Sequence, residues 1–318
     1  MSLRVILVYD YLVNNRIGKA VEKINIAHLV EKNVALKALS SYNTGGQADL
    51  FAQPKNLEEA QELIKWAINK NIPYTVLGGG SNVLISDEGV EGLVISTASL
   101  LNYHIRGRIF VVEAGLLVDK AINISIENFL SGLEALGGLP GSIGGAVWGN
   151  SQAAGLSIAE LIEWVDYIDN EGSLRRLHAI DSKFSYKSSP FMTKKSFIFE
   201  VAFRLEPTKD SSAARQFKEK QRKIRFAKGQ FDFPSAGCYF KNSGDISSGK
   251  LIDEAQLKQL SVGGAAVSST HANFIINKDN RASSTDIYQL GELLRKEILK
   301  KYNIDLEREV VLIGRWNN

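Results

Sequence analysis

The sequence predicts an α+β protein of more than one domain, and three observations carry that prediction. A helix and two short apolar strands meet at a glycine turn near the N-terminus, the middle of the chain is mostly strand, and the last third mixes helices with short strands. A chain of 318 residues also has room for two or three cores of ordinary size.

Taken in order, the first 30 or so residues show no periodic pattern and read as an N-terminal extension. Asn56 then opens a helix as its N-cap, with Glu58 and Glu59 in the first turn. Leu57, Ala60, Leu63, Ile64, Ala67 and Ile68 keep helical spacing, and Asn71-Ile72-Pro73 stops it. Tyr74 to Leu77 is a short buried strand, Gly78-Gly79-Gly80-Ser81-Asn82 a turn, and Val83 to Ile85 a second strand. Strands dominate from Gly92 to Leu205, notably Leu93 to Ser96, Ile109 to Glu113 and Phe197 to Leu205. A helix from about Leu117 to Phe129 and a glycine-rich stretch from Gly137 to Gly149 interrupt them. Pro207 and the polar run from Lys209 to Ser212 mark a boundary, and a basic helix follows from Ala213 to Lys228. A glycine turn at Gly263-Gly264, a strand from Asn273 to Asn277, a helix capped by Ser284 or Thr285 and running to about Tyr302, and a closing strand from Leu306 to Gly314 complete the chain. The expected division is an extension at 1–30, an α/β unit at 31–96, a mostly β unit at 97–207, a further domain at 208–304 and a terminal strand at 305–318.

Composition removes several classes of function. Hydrophobic residues make up 44% and charged residues 23%, which is globular and not disordered. The 38 Lys and Arg against 35 Asp and Glu leave a formal charge of +3, too little to argue for nucleic acid. One cysteine excludes a disulfide framework, and four histidines with no two closely spaced leave no basis for a metal site. No apolar run is long enough to span a membrane. The stretch from Val5 to Val13 is broken by Asp10 and lacks a cleavage signal, so a cytoplasmic protein with no membrane partner is expected.

Familiar catalytic motifs fail. There is no P-loop and no G-x-S-x-G elbow. In the turn after Leu77, Val83 stands where a dinucleotide fingerprint needs its third glycine. Two glycine-rich turns remain. Gly78 to Asn82 offers consecutive backbone N–H groups that can cradle a pyrophosphate without a lysine. Gly138 to Ala146 is longer, lets a flat ligand lie against main chain, and adds the Ser142 hydroxyl. One such loop alone is more often an ordinary turn; two beside buried strands favour a shared ligand.

Asn43-Thr44-Gly45-Gly46, Leu77 to Ile85 and Pro140 to Val147 resemble the FAD-binding half of the UDP-N-acetylenolpyruvoylglucosamine reductases (UDP-N-acetylmuramate dehydrogenases), flavoproteins of the vanillyl-alcohol-oxidase type. Pro234 to Asn242, Gly249 to Ile252, Gly263-Gly264-Ala265, His271 to Asn277 and Leu306 to Val310 follow in that family's order. The short connection from Pro190 to Val201 resembles the subclass without a tyrosine-bearing loop. The resemblance implies a two-part FAD-binding domain and a C-terminal α+β substrate domain. It implies FAD contacts at Asn43, Thr44, Gly45, Leu77, Gly78, Gly79, Gly80, Ser81, Asn82, Val83, Ala114, Gly138, Pro140, Gly141, Ser142, Gly144, Gly145 and Asn150. It further implies NADPH as hydride donor, a UDP-sugar enolpyruvyl ether as substrate, a role in peptidoglycan synthesis and a monomer.

In that chemistry, hydride reaches C3 of the enolpyruvyl group and negative charge builds on C2 and the carboxylate. Cys238 stands where the family has its proton-donating serine. A thiol, with a reference pKa near 8.5, is the stronger acid, although a buried cysteine is more commonly a small hydrophobe. Glu309 matches the family's catalytic glutamate; sharing a face with Val311 and Ile313, it is expected to be partly desolvated and drawn toward its protonated form. Lys187, after Tyr186, replaces an arginine, keeping the charge without the bidentate fork. Tyr186, Arg225, Lys241 and Asn242 are implied substrate contacts. The run Lys218, Lys220, Arg222, Lys223, Arg225 and Lys228 reads mostly as a solvated helix face, and His271 as a hydrogen-bonded structural histidine. A flavin-dependent alcohol oxidase of the same superfamily and a non-catalytic nucleotide-sugar binder remain alternatives at this stage.

Overall fold

Residues 30–96 form a mixed sheet. Strand β1 (Val30–Ala35) runs antiparallel to β2 (Gln47–Ala52), while β3 (Tyr74–Leu77) and β5 (Val90–Ser96) continue the sheet in parallel, in the order β1-β2-β5-β3. The short β4 (Val83–Ile85) stands outside it. The computed structural model describes residues 24–316, so residues 1–23 of the expected extension lie outside the described residues. Helix α1 (Leu57–Asn69) starts where Asn56 Oδ1 accepts the Glu59 N–H at 2.8 Å. It buries Ala60, Leu63, Ile64 and Ala67 completely, at about 1.5–3 kcal/mol for each large side chain. Ile68, expected on that face, is instead exposed at the helix's C-terminal end.

The second unit is a five-stranded antiparallel sheet made from β6 (Tyr103–Arg106), β7 (Ile109–Glu113), β11 (Ile162–Ile168), β12 (Leu174–His178) and β13 (Phe197–Arg204). Between β7 and β11 lie the brief strands β8 (Leu130–Ser131), β9 (Gln152–Ala153) and β10 (Leu156–Ser157), and β14 (Glu206–Pro207) returns to pair with β8. Helices α2 (Val118–Glu127) and α3 (Ile143–Trp148) cover this sheet, packing Ile122, Ile143 and Val147 against Phe110, Val201 and Phe203. α3 corrects the sequence reading, which treated Gly137 to Gly149 as glycine-rich turn throughout. Gly144 and Gly145 are poor helix formers, but the Ser142 cap and the burial of Ile143, Ala146 and Val147 override that propensity.

The third unit opens with the basic helix α4 (Ser212–Ala227). Helix α5 (Ser248–Glu254) and a small antiparallel sheet follow, from β15 (Ser261–Val262), β16 (Ala265–Val267) and β17 (Ile275–Asn277), backed by α6 (Ser284–Tyr302). The cap of α6 is Ser283, not Ser284 or Thr285. Ser283 and Asp286 form a reciprocal capping box, with both bonds at 3.0 Å. The closing strand is also shorter than expected. Only β18 (Val311–Ile313) is strand, and it pairs in parallel with β4, while the residues before it hydrogen-bond to the segment around Tyr239. The chain's end thereby ties the third unit to the first beside the glycine turn.

Candidate active site

The two glycine-rich turns do not merely face one another; they interlock. Gly79 donates its N–H to Ser142 Oγ at 3.2 Å, and the same oxygen caps α3 by accepting from Gly145 N at 3.4 Å. Ser81 Oγ donates to Pro140 O at 3.2 Å. A Cβ on Gly79 would lie 2.7 Å from Gly141 Cα, so only glycine permits this approach. Behind the second turn, Gly144 donates to Ala114 O at 2.8 Å. Among the described residues the N–H groups of Gly80, Ser81 and Asn82 have no acceptor, and they border a cleft of about 620 Å³. Such a cradle has the donors and the close main-chain surface that a dinucleotide pyrophosphate needs.

Of the residues implied as cofactor contacts, Gly78 to Val83, Pro140, Gly141, Ser142, Gly144 and Gly145 line this cleft, whereas Asn43, Thr44, Gly45, Leu77, Ala114, Gly138 and Asn150 do not. Asn43 and Thr44 bond to Asn280 and Ser284 of the third unit, and Gly45 packs on Ile85. Leu77 and Ala114 are buried in the core. Gly138 donates to Asp119 Oδ1 at 3.3 Å, and Asn150 bonds to Ser157 and Ser185.

The same cleft is also lined by Cys238, Lys187 and Glu309. Cys238 forms a β-bridge with Phe274, and its neighbour Tyr239 receives the Glu309 N–H at 2.8 Å. Asn82, at the end of the first glycine turn, donates its side-chain amide to Glu309 O at 3.2 Å. Burial, and after it the Glu309 carboxylate, push the Cys238 thiol up to about 11, against the opposing pull of Lys187, Lys228 and Arg225. Lys187 Nζ lies 2.6 Å from Glu309 Oε1, with both side chains mostly shielded. Glu309 is thus partly desolvated, as expected, but its carboxylate faces an ammonium, and it lies before β18 and not within it.

Arg225 also lines the cleft, but its guanidinium donates to Gly137 O at 3.1 Å and to Gln230 at 3.3 Å, so it braces the second glycine turn. Tyr186, Lys241 and Asn242 are absent from the cleft lining. Tyr186 Oη accepts from Asn242 N at 3.4 Å, and Lys241 pairs with Glu307 at 2.5 Å. Two readings of the sequence are corrected here. Lys218 is not on a solvated face: it is buried, and bonds Asp119 at 3.0 Å and Asn123 at 2.7 Å. The ring of His271 stacks on Phe274 at 4.1 Å, and its buried Nδ1 has no hydrogen-bond partner among the described residues. Sequence reasoning missed Lys194 and Lys228 as residues of the cleft wall; a cation in the short Pro190–Val201 connection and one at the end of α4 were the available signals.

Comparison with known proteins agrees with this geometry. A family model described as "UDP-N-acetylenolpyruvoylglucosamine reductase, C-terminal domain" matches residues 229–313, and one described as "FAD binding domain" matches residues 48–178. A UDP-N-acetylenolpyruvoylglucosamine reductase from Borreliella burgdorferi is 39% identical over 92% of this chain and 96% of its own length. Another from Chlamydia muridarum is 37% identical over 89% of this chain and 94% of its own. The crystal structure of the Thermus caldophilus reductase superposes with a TM-score of 0.77 at 31% identity, covering 89% of this chain and 98% of that one.

Proposed function

The chain belongs to the UDP-N-acetylenolpyruvoylglucosamine reductase family, and from that premise we propose that Cys238 is the proton donor in its reaction. That reaction is the NADPH-dependent, FAD-mediated reduction of UDP-N-acetylenolpyruvoylglucosamine to UDP-N-acetylmuramate, a step of peptidoglycan synthesis. The observation that carries the assignment of roles is the convergence of Cys238, Lys187 and Glu309 on the wall of the cleft that the glycine turns border.

FAD, when bound, supplies hydride taken from NADPH. The cradle of Gly78 to Asn82 and Pro140 to Gly145 would hold it, with the free N–H groups of Gly80, Ser81 and Asn82 as donors. As C3 of the enolpyruvyl group gains hydride, the electron pair of the double bond moves to C2 and the carboxylate oxygens. The Cys238 S–H bond breaks as the new C2–H bond forms, and the thiolate is reprotonated from water. A thiol raised by burial holds its proton at neutral pH and is therefore charged with the one thing the step requires. Lys187 stabilises first the developing carboxylate charge and then the thiolate; Glu309 fixes its ammonium.

Because one chain builds every part of the constellation, we assign activity to the monomer. We place it in the cytoplasm, where NADPH and nucleotide sugars are available; among the described residues no helix is long and apolar enough to cross a membrane. The purified protein is expected to be yellow and to oxidise NADPH on addition of the enolpyruvyl substrate. A protein that takes up FAD yet leaves NADPH unconsumed with that substrate would contradict the proposal.

A further inference from the structure

The Lys187 ammonium reaches Glu309 from a backbone conformation that lysine disfavours. Ser185 and Ser188 exchange both main-chain hydrogen bonds at 3.1 Å, closing a tight turn over Tyr186 and Lys187, and Lys187 sits at φ +51°. A non-glycine residue held there costs on the order of 1 kcal/mol, which bonds from outside the turn help to offset. Asn150 supplies one. Its side-chain Nδ2 donates to Ser185 O at 2.7 Å, and its Oδ1 accepts from Ser157 Oγ at 2.6 Å. A carbonyl can only accept, so the Ser185 bond fixes which end of the amide faces the turn. Ser189 adds a second tie, donating to Trp148 O at 2.6 Å.

Asn150 is 2% exposed, lies just beyond the end of α3 and is itself left-handed at φ +44°. Asparagine tolerates that conformation at a helix C-terminus better than most residues. The short helix therefore connects the two halves of the cleft: Ser142 at its start holds Gly79, and Asn150 past its end holds the turn carrying Lys187.

We propose that Asn150 is a positioning residue, holding the Ser185–Ser188 turn through the Ser185 carbonyl so that the Lys187 ammonium meets Glu309, and that it acts on the reaction through Lys187. The proposal rests on the reaction assigned above and deepens it. The discriminating variant is Asn150→Gly, which permits the left-handed backbone and removes the side chain with its amide. Its flavin content and its rate of flavin reduction by NADPH are expected to match wild type. Reoxidation of the reduced enzyme by the enolpyruvyl substrate should slow on the order of tenfold, and the loss should disappear when Lys187→Met is already present. Loss of flavin from Asn150→Gly, or an undiminished slowing on top of Lys187→Met, overturns the proposal.

A second readout needs no turnover. Cys238 is the protein's single cysteine, and the Lys187 charge favours its thiolate. Alkylation of Cys238 at alkaline pH should slow in Asn150→Gly and Lys187→Met alike and no further in the double variant. Slowing in Lys187→Met with none in Asn150→Gly overturns the positioning role, even in an enzyme that failed to reduce the enolpyruvyl substrate. Should Asn150→Gly not fold, Ser157→Ala frees the same amide and should produce a smaller slowing of the same kind; no slowing there has the same consequence.

Discussion

Cys238 keeps its proton because burial, and next the Glu309 carboxylate, oppose the charged thiolate. The sign of the resulting pH dependence follows. The folded thiol, at about 11, lies above the ordinary unfolded value near 8.5, so the unfolded chain sheds its proton first as pH rises. The thiol's contribution to stability is complete below about pH 8.5 and is lost as pH climbs toward 11. Cys238→Ser should therefore flatten the alkaline limb of stability against pH, measured as denaturant midpoints; parallel curves for the two proteins would contradict it. The same shift predicts that the enolpyruvyl half-reaction loses nothing to thiol ionisation near pH 8.5. A fall in its rate with an apparent pKa there would count against a buried donor. At this scale the sequence was legible where a local motif places a residue, as at Cys238, which lines the cleft. It was not legible where partners lie far along the chain: nothing local to Glu309 shows that Lys187 will sit beside it, and Lys218 reads as solvated until Asp119 and Asn123 arrive from another element.

Helix α1 was readable from its spacing and its Asn56 cap because both signals are local. Helix α3 was not. Its sequence, Ile143 to Trp148, is short and carries two glycines, and it forms because Ser142 caps it while Gly144 docks on Ala114. The cap of α6 was misplaced by one or two residues because Ser283, Ser284 and Thr285 are all competent; the choice is made by Asp286, and the Ser284 and Thr285 hydroxyls are occupied by Thr44 and Asp87. Ser283→Ala should therefore cost about 1 kcal/mol in chemical denaturation. At the interlocked turns, Gly79→Ala drives a methyl group into Gly141, and these two turns cannot separate without opening the cradle. Expected are a loss of about 1–3 kcal/mol in stability and reduced flavin content, read from the ratio of visible to ultraviolet absorbance. Full flavin content in Gly79→Ala would show that the close approach does not serve the cofactor.

Three units make one cleft because the third is pinned to the first at several points. Asp87 accepts from Ser284 N and Thr285 N at 2.9 Å each, placing a carboxylate at the start of α6 where the helix dipole favours it. Arg315 pairs with Asp49 at 2.6 Å, and β18 lies along β4. Asp87→Ala is expected to weaken this attachment by about 1–2 kcal/mol, seen as a lower denaturant midpoint, with flavin content unchanged because the glycine turns are untouched. The α+β class and the order of elements were readable from periodicity and punctuation. How the units meet was not, since Thr44, Asp87 and Asn280 carry no local signal of their partners. The claim on which all scales depend is that the cleft lined by the glycine turns and by Cys238 brings a flavin and that thiol to one substrate. Its most direct test mixes NADPH-reduced, oxygen-free enzyme with the enolpyruvyl substrate and follows the return of flavin absorbance. Wild type and Cys238→Ser should both recover their colour, while Cys238→Ala, expected to keep its FAD because the glycine turns are untouched, should recover on the order of a hundredfold more slowly. Recovery of Cys238→Ala at the wild-type rate would contradict the account.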